Sequence, residues 1–319
     1  MLFGMEIGFI KCHGSGNEFV MTDSVACDMS GVALDALSVS ACDRETGIGA
    51  DGLLVLVRNE DGVYGMRMFN PDGSEAEMCG NGIRCIARLA ADYVGSGEFV
   101  LTSGGREYLI TRHEDMRHSI PTFGVRIPVR LWSDDFAMHG EDEEFVSRPI
   151  PELDAGLRFT AVNVGNPHIV AEVERVDYDL LGRLGRRVLE LPQIFPHGVN
   201  VSLVEVRDRN RIFVATYERG AGITPSCGTA MTSSATAMAL TGRCGFGENI
   251  DVLNRGGAVR CVCSREGGLL NTTLVGNATY ESKGRIEICG DGFRFVTDEV
   301  CRGEQAAYDD FLKTLKTEI

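Results

Sequence analysis

Met78-Cys79-Gly80-Asn81-Gly82-Ile83-Arg84 sets a Cys-Gly pair immediately ahead of Gly82 to Tyr93, GIRCIARLAADY. Small and apolar residues recur there at three- and four-residue spacing, which predicts a helix. Further along, Cys227-Gly228 stands directly ahead of a second such run, Thr229 to Leu240, TAMTSSATAMAL. At the start of a helix, unsatisfied backbone N–H groups and the positive end of the helix dipole stabilise anions. The setting is therefore expected to lower the pKa of each thiol and to hold a substrate carboxylate.

Working outward from the two cysteines, the surrounding blocks match in one order at one offset. Cys79-Gly80 and Cys227-Gly228 are 148 residues apart, as are Phe69-Asn70 and Tyr217-Glu218. The apolar runs Leu53 to Val57 and Val201 to Glu205 are also 148 apart, and Asn17 and Asn166 are 149 apart. A fixed offset across four blocks points to duplication, hence to two similar halves facing a shared cleft. If the two thiols meet one substrate carbon from opposite sides, one removes a proton and the other returns one. That is racemase or epimerase chemistry.

The rest of the chain agrees with an enzyme of two domains. At 319 residues it exceeds what one core usually organises, and 44% apolar with 24% charged residues is the composition of a globular protein. A formal charge of −15 disfavours nucleic acid and anionic membrane surfaces, leaving small molecules as the expected ligands. No apolar run approaches the ~20 residues that cross a bilayer. Eleven scattered cysteines, an odd number, with no secretory leader at the start of the sequence, suit free thiols in a reducing cytoplasm. Strand-like runs cover Gly52 to Val57, Gly65 to Phe69, Gly198 to Val206 and Arg211 to Tyr217, and Ala306 to Lys316 reads as a closing surface helix.

Other signals are weaker. Cys12, Cys27, Cys42, Cys85, Cys244, Cys289 and Cys301 are expected to be small buried hydrophobes. Cys261 and Cys263 share one strand face without a second ligand pair, so no metal site is expected. Gly47-Ile-Gly49-Ala-Asp51-Gly52 spells the dinucleotide fingerprint, but a strand follows it instead of a helix, so a turn is expected. No phosphate loop, serine elbow or pyridoxal lysine is recognisable.

Beyond these patterns, the segments Lys11 to Val20 (KCHGSGNEFV), Cys42 to Gly52 (CDRETGIGADG), Phe69 to Arg84 (FNPDGSEAEMCGNGIR), Val164 to His168 (VGNPH), Gly198 to Asn200 and Glu218 to Gly220 followed by Cys227 to Thr229 closely resemble the diaminopimelate epimerases, in order and over nearly the whole chain. The resemblance implies an α+β fold of two pseudo-symmetric domains, each a curved antiparallel sheet or barrel around a central helix, with the active site in the cleft between them. It implies cofactor-independent interconversion of LL- and meso-diaminopimelate, with Cys79 and Cys227 as the acid/base thiols. By the same resemblance, Gly80-Asn81 and Gly228-Thr229 hold the reacting carboxylate and ammonium, Glu218 and His168 line the reacting centre, and Asn17 lies close by. Asn70, Asn166, Asn200 and Arg219 are left for the distal end, where amides and a guanidinium suit a second amino-acid head. A homodimer stays open.

Several positions depart from the family pattern: Ser15 and Glu18 in the His13 to Glu18 block, Ile223 in place of a carboxylate, and Ala230 in place of a glycine, with Met231 after it. The alternatives are a racemase of another amino acid, histidine- or proline-type, on the same fold, and a thiol redox switch. The domain boundaries are expected at residues 1–122 plus 292–319 for the half carrying Cys79 and 123–291 for the half carrying Cys227. The chain is expected to cross over near Ser119 to Thr122.

Overall fold

The computed structural model describes residues 4–116, 119–131, 135–137, 144–290 and 292–316, so Arg117 and His118, just ahead of the expected crossover, lie outside them. The chain forms two units, one running to Val125 and resuming at Val275, the other spanning Arg126–Leu274.

In the first unit β1 (Glu6–Gly14) and β2 (Asn17–Asp23) form a hairpin. Helix α1 (Leu34–Cys42) leads to β3 (Leu53–Arg58), which turns into β4 (Tyr64–Phe69) and β5 (Glu75–Ala76). Helix α2 (Gly82–Val94) then leads to β6 (Glu98–Ser103), β7 (Arg106–Arg112) and β8 (Thr122–Val129). The second unit opens with β9 (Arg148–Ile150), then β10 (Asp154–Asn163), β11 (Pro167–Val173), α3 (Tyr178–Leu189), β12 (Asn200–Asp208), β13 (Arg211–Glu218) and β14 (Gly222–Thr224). It continues through α4 (Gly228–Leu240), β15 (Asn249–Asn254), β16 (Gly257–Glu266) and β17 (Leu269–Asn277). Strands β18 (Thr279–Cys289) and β19 (Gly292–Val300) and helix α5 (Arg302–Lys316) complete the first unit, β18 pairing antiparallel along β1. The first unit resumes at Val275, earlier than the expected 292, because β18 as well as β19 belongs to its sheet.

The duplication shows in strand pairing. In the first unit β1–β2 is antiparallel, β2–β3 parallel, β3–β4 and β4–β5 antiparallel, β4–β6 parallel and β6–β7 antiparallel. In the second, β10–β11, β11–β12, β12–β13, β13–β14, β13–β15 and β15–β16 repeat that order of senses. The sheets are thus mixed, not purely antiparallel as expected. The reason is connective: each parallel pair is joined through a helix, and a crossover of that length returns the chain to the same end of the sheet.

Helices cover both faces of each sheet. The second helix of each unit is the inner one. Helix α4 is buried from Ala230 through Ala239 and touches β10, β11, β12, β13, β15 and β16, while α2 buries Gly82 to Ala87 and Ala90 against β1 to β4. Small side chains let strands approach α4 on every side, as an all-buried helix requires. The other helix packs outside. Leu37, Ala41 and Cys42 of α1 meet Ile7, Val20, Leu53, Val55 and Ile286, and Leu181, Leu184 and Val188 of α3 meet Phe159, Ile169, Val201 and Leu203.

Helices α1 and α3 were not anticipated from the sequence. Helix α3 carries a readable cap, since Asp177 accepts hydrogen bonds from the backbone of Asp179 and Leu180 at 2.8 and 3.1 Å. Gly182 and Gly185 inside it disguise the pattern. The helix expected over Ala306 to Lys316 begins earlier, at Arg302, and packs Glu304 against Arg88 of α2 at 2.6 and 2.8 Å.

The Gly47 to Gly52 stretch is the expected turn ahead of β3. Cys12, Cys42, Cys85 and Cys244 are buried as expected, Cys27 and Cys301 are half-buried, and Cys289, at the end of β18 beside the turn into β19, is exposed, which corrects its reading as a core residue. Among the described residues no cluster of three or more metal-ligating side chains occurs, and no helix is long and apolar enough to cross a membrane.

Candidate active-site residues

Both cysteines sit at the N-terminus of their unit's inner helix, and the first helical turn is built alike. The Cys79 carbonyl accepts from the Ile83 N–H at 2.9 Å and the Cys227 carbonyl from the Met231 N–H at 3.0 Å. Cys227 caps α4 directly, whereas α2 starts at Gly82 with Asn81 as its cap.

Around Cys79 the sulfur receives the Gly82 N–H at 3.4 Å and faces the Asn17 Oδ1 at 3.8 Å. The same Oδ1 accepts from Asn81 Nδ2 at 3.3 Å. Behind them Arg84, fully buried, donates to the Gly80 carbonyl at 2.9 Å and to Ser15 Oγ and Asn81 Oδ1 at 3.1 Å each. Asn277 joins this scaffold from β17, accepting from the Ser15 N–H at 2.8 Å and donating to the His13 carbonyl at 3.1 Å. Burial and the Arg84 charge lower the pKa of His13 to about 4. Asn70 stands apart from this network: its amide donates to Ser74 Oγ at 2.9 Å within the Pro71 to Ser74 turn.

Around Cys227 the expected residues form one chain of contacts. The sulfur lies 3.3 Å from Thr229 Oγ1, to which Asn166 Nδ2 donates at 3.4 Å. Asn166 Oδ1 lies 3.0 Å from His168 Nε2, which is 3.3 Å from Asn200 Nδ2, and Asn200 Oδ1 accepts from the Arg219 N–H at 2.7 Å. The Arg219 guanidinium donates to the His197 carbonyl at 2.6 Å. His168 is wholly buried, its Nδ1 finds no hydrogen-bond partner among the described residues, and burial with the nearby Arg219 charge lowers its pKa to about 3, so it is neutral. Thr224 donates to the Glu218 carboxylate, which in turn meets the Cys227 thiol.

The thiols correct one expectation. Burial pushes the Cys79 thiol up, outweighing the Gly82 and Asn81 N–H groups and Arg84, which pull it down. Burial pushes Cys227 well above the ordinary value, and the Glu218 carboxylate adds to the rise against Thr229 and the Ala230 N–H. The helix starts do lower both thiols, but desolvation is the larger effect.

Of the departures, Ser15 belongs to the Arg84 scaffold, and two more lie in the second unit. Ile223 lies on β14 opposite Tyr217 and is 41% exposed, so its side chain supports no core packing. Ala230, like the adjacent Met231, is buried in the inner helix. Sequence reasoning missed Asp51, Arg44, Thr224, Ser15, Arg84 and Asn277. Asp51 lies in the quoted turn motif and Arg44 just ahead of it in the Cys42 to Gly52 segment, and the others carry no spacing signal.

The fold and the paired cysteines place the chain in a structural class. A Bacillus anthracis phenazine biosynthesis protein of the PhzF family superposes with a TM-score of 0.64 at 14% identity over 89% of this chain and all of that one. A probable proline racemase from Agrobacterium radiobacter does so at 0.58 and 14%, over 89% and 93%. At such identities the likeness is one of fold. The particular family follows from the sequence itself: the diaminopimelate epimerase model matches residues 9–121 and 160–281, and the chain belongs to that family. A diaminopimelate epimerase of Ligilactobacillus salivarius is 39% identical over 96% of this chain and 98% of its own length, and one of Clostridium acetobutylicum 35% over 90% and 87%.

Proposed function

We propose that the protein is a diaminopimelate epimerase, interconverting the LL and meso forms by two proton transfers without an organic cofactor. The observation that carries this reading is the repeated placement of one cysteine at the start of the inner helix in each unit, inside a family of that name. Inversion at a carbon needs a proton removed from one face and another delivered to the opposite face. Cys79 and Cys227 supply the two groups. In one direction the thiolate of one takes the α-proton, the bonding electron pair moves onto the α-carboxylate, and the thiol of the other gives its proton to the carbon. The reverse reaction exchanges their roles.

The N–H groups at the two helix starts, Gly80-Asn81 and Gly228-Thr229, suit the α-carboxylate where that charge accumulates. Glu218, beside Cys227, suits the ammonium. Asn17, beside the Cys79 sulfur, stays at the reacting centre, and Asn70, Asn166, Asn200 and Arg219 suit the distal amino-acid head. Asn200 is prepared for this, since the Arg219 N–H takes its carbonyl and fixes which way its amide points. A compartment such as the cytoplasm, where thiols stay reduced, fits this chemistry.

The test is incubation with LL-diaminopimelate in deuterated water under reducing conditions. The wild type should place deuterium at the α-carbon and form the meso isomer. Cys79→Ser and Cys227→Ser should each lose roughly 10²–10⁴-fold in turnover, the range of a missing general acid or base. Exchange into proline or histidine, with none into diaminopimelate, would overturn the substrate assignment.

A further inference from the structure

The turn motif Gly47-Ile-Gly49-Ala-Asp51-Gly52 takes no part in the chemistry above, yet it reaches the Cys79 half-site through one side chain. Asp51 Oδ2 accepts from Asn17 Nδ2 and from the Glu18 N–H, both at 2.9 Å, and Oδ1 accepts from Arg44 Nη2 at 2.8 Å. Arg44 Nη1 also donates to Glu18 Oε2 at 2.8 Å, and the Asp51 N–H donates to the Glu18 carbonyl at 2.9 Å, so the carboxylate is tied on three sides.

An asparagine amide has a donor end and an acceptor end, and its neighbours decide which end faces where. An aspartate carboxylate only accepts. With Asp51 on one side of Asn17, Nδ2 is held there, and Oδ1 is left facing Cys79 Sγ and Asn81 Nδ2. The sulfur therefore has a backbone donor in Gly82 and a side-chain acceptor in Asn17, one partner suited to the thiolate and one to the thiol. A group that must both take and give a proton needs both.

We propose that Asp51, anchored by Arg44, is a positioning residue for proton transfer at Cys79, fixing Asn17 with its carbonyl oxygen toward the sulfur. The proposal rests on reading Cys79 as an acid/base thiol. The charges acting on Cys79 are Arg84 and Cys85 of the same helix; Asp51 lies one hydrogen bond beyond Asn17, and Arg44, which also holds the Glu18 carboxylate, lies one bond beyond Asp51.

The experiment uses the full-length protein, following the pH dependence of iodoacetamide modification at Cys79 by peptide mass, alongside kcat and KM for diaminopimelate. In Asp51→Ala the Asn17 amide is free to turn its NH2 to the sulfur, which favours the thiolate. The modification midpoint should fall by about one pH unit while kcat falls about tenfold, with urea unfolding checking that the fold is as stable as the wild type. Asp51→Asn, whose carbonyl takes the same hydrogen bond from Asn17, should restore the wild-type midpoint. An unshifted midpoint in Asp51→Ala, or Asp51→Asn behaving like Asp51→Ala, overturns the proposal. Should Asp51→Ala not fold, Arg44→Gln loosens the carboxylate without touching Asn17, and the same downward shift or its absence decides. The modification needs no substrate, so failure of this idea is separable from failure of the substrate assignment.

Discussion

At the scale of single residues the two thiols are unlike. Cys79 has a buried guanidinium among its near charges, while Cys227 faces a carboxylate, so beyond burial their electrostatic surroundings oppose one another. Glu218→Gln removes that carboxylate and should bring the Cys227 thiol down toward its ordinary value. In a Cys79→Ser background, alkylation of Cys227 at pH 7 should then quicken by about tenfold, equivalent to about one pKa unit. A rate equal to the parent would show that burial alone raises this thiol. Much of this site was legible in letters. Cys79, Cys227, Asn166, His168, Asn200, Glu218 and Arg219 stand in short motifs, and in the second unit the structure links them by contacts. Asp51 was visible but in a motif whose familiar meaning had been rejected. Arg84 looks like an ordinary helix arginine, and only the fold reveals it as a buried brace.

At the scale of elements, strands β3, β4, β12 and β13 and helices α2, α4 and α5 were readable from periodicity, and α1 and α3 were not. The reason in α3 is physical. Gly185 interrupts its apolar stripe because the ring of Tyr217 from β13 occupies the space: a Cβ there would lie 2.1 Å from Tyr217 Cγ. Helix propensity alone favours alanine over glycine by about 1 kcal/mol, but so close an approach forces displacement of ring or helix. Gly185→Ala should therefore destabilise the protein by about 1–3 kcal/mol, as overpacking does, and lower Tm. Adding Tyr217→Ala should recover part of the loss. A raised Tm in the single variant would mean that the ring moves aside freely. The parallel pairs were hidden for a related reason, since two of the four crossovers run through these two disguised helices.

For the whole molecule, two buried histidines tie stability to pH. His13 and His168 have folded pKa values lowered to about 4 and about 3, against an ordinary value near 6.5. The unfolded chain binds protons on them that the folded chain refuses, so their contribution is full above pH 6.5 and is lost as pH falls toward 4 and 3. At pH 5 each should cost about 2 kcal/mol. Urea unfolding at pH 7 and pH 5 measures the sum, and His168→Gln should flatten the difference. Equal stability at the two values would contradict the neutral, buried state of both rings. The order of the chain adds a constraint in time. The second unit is one continuous stretch, whereas β1, which precedes it, pairs with β18, which follows it. During synthesis the later stretch can close while the first sheet still waits for its β18 neighbour, with the apolar Ile7 and Phe9 of β1 uncovered. The unit begun first is thus completed last, and a chain released after residue 278 would hold a complete second unit and an incomplete first one.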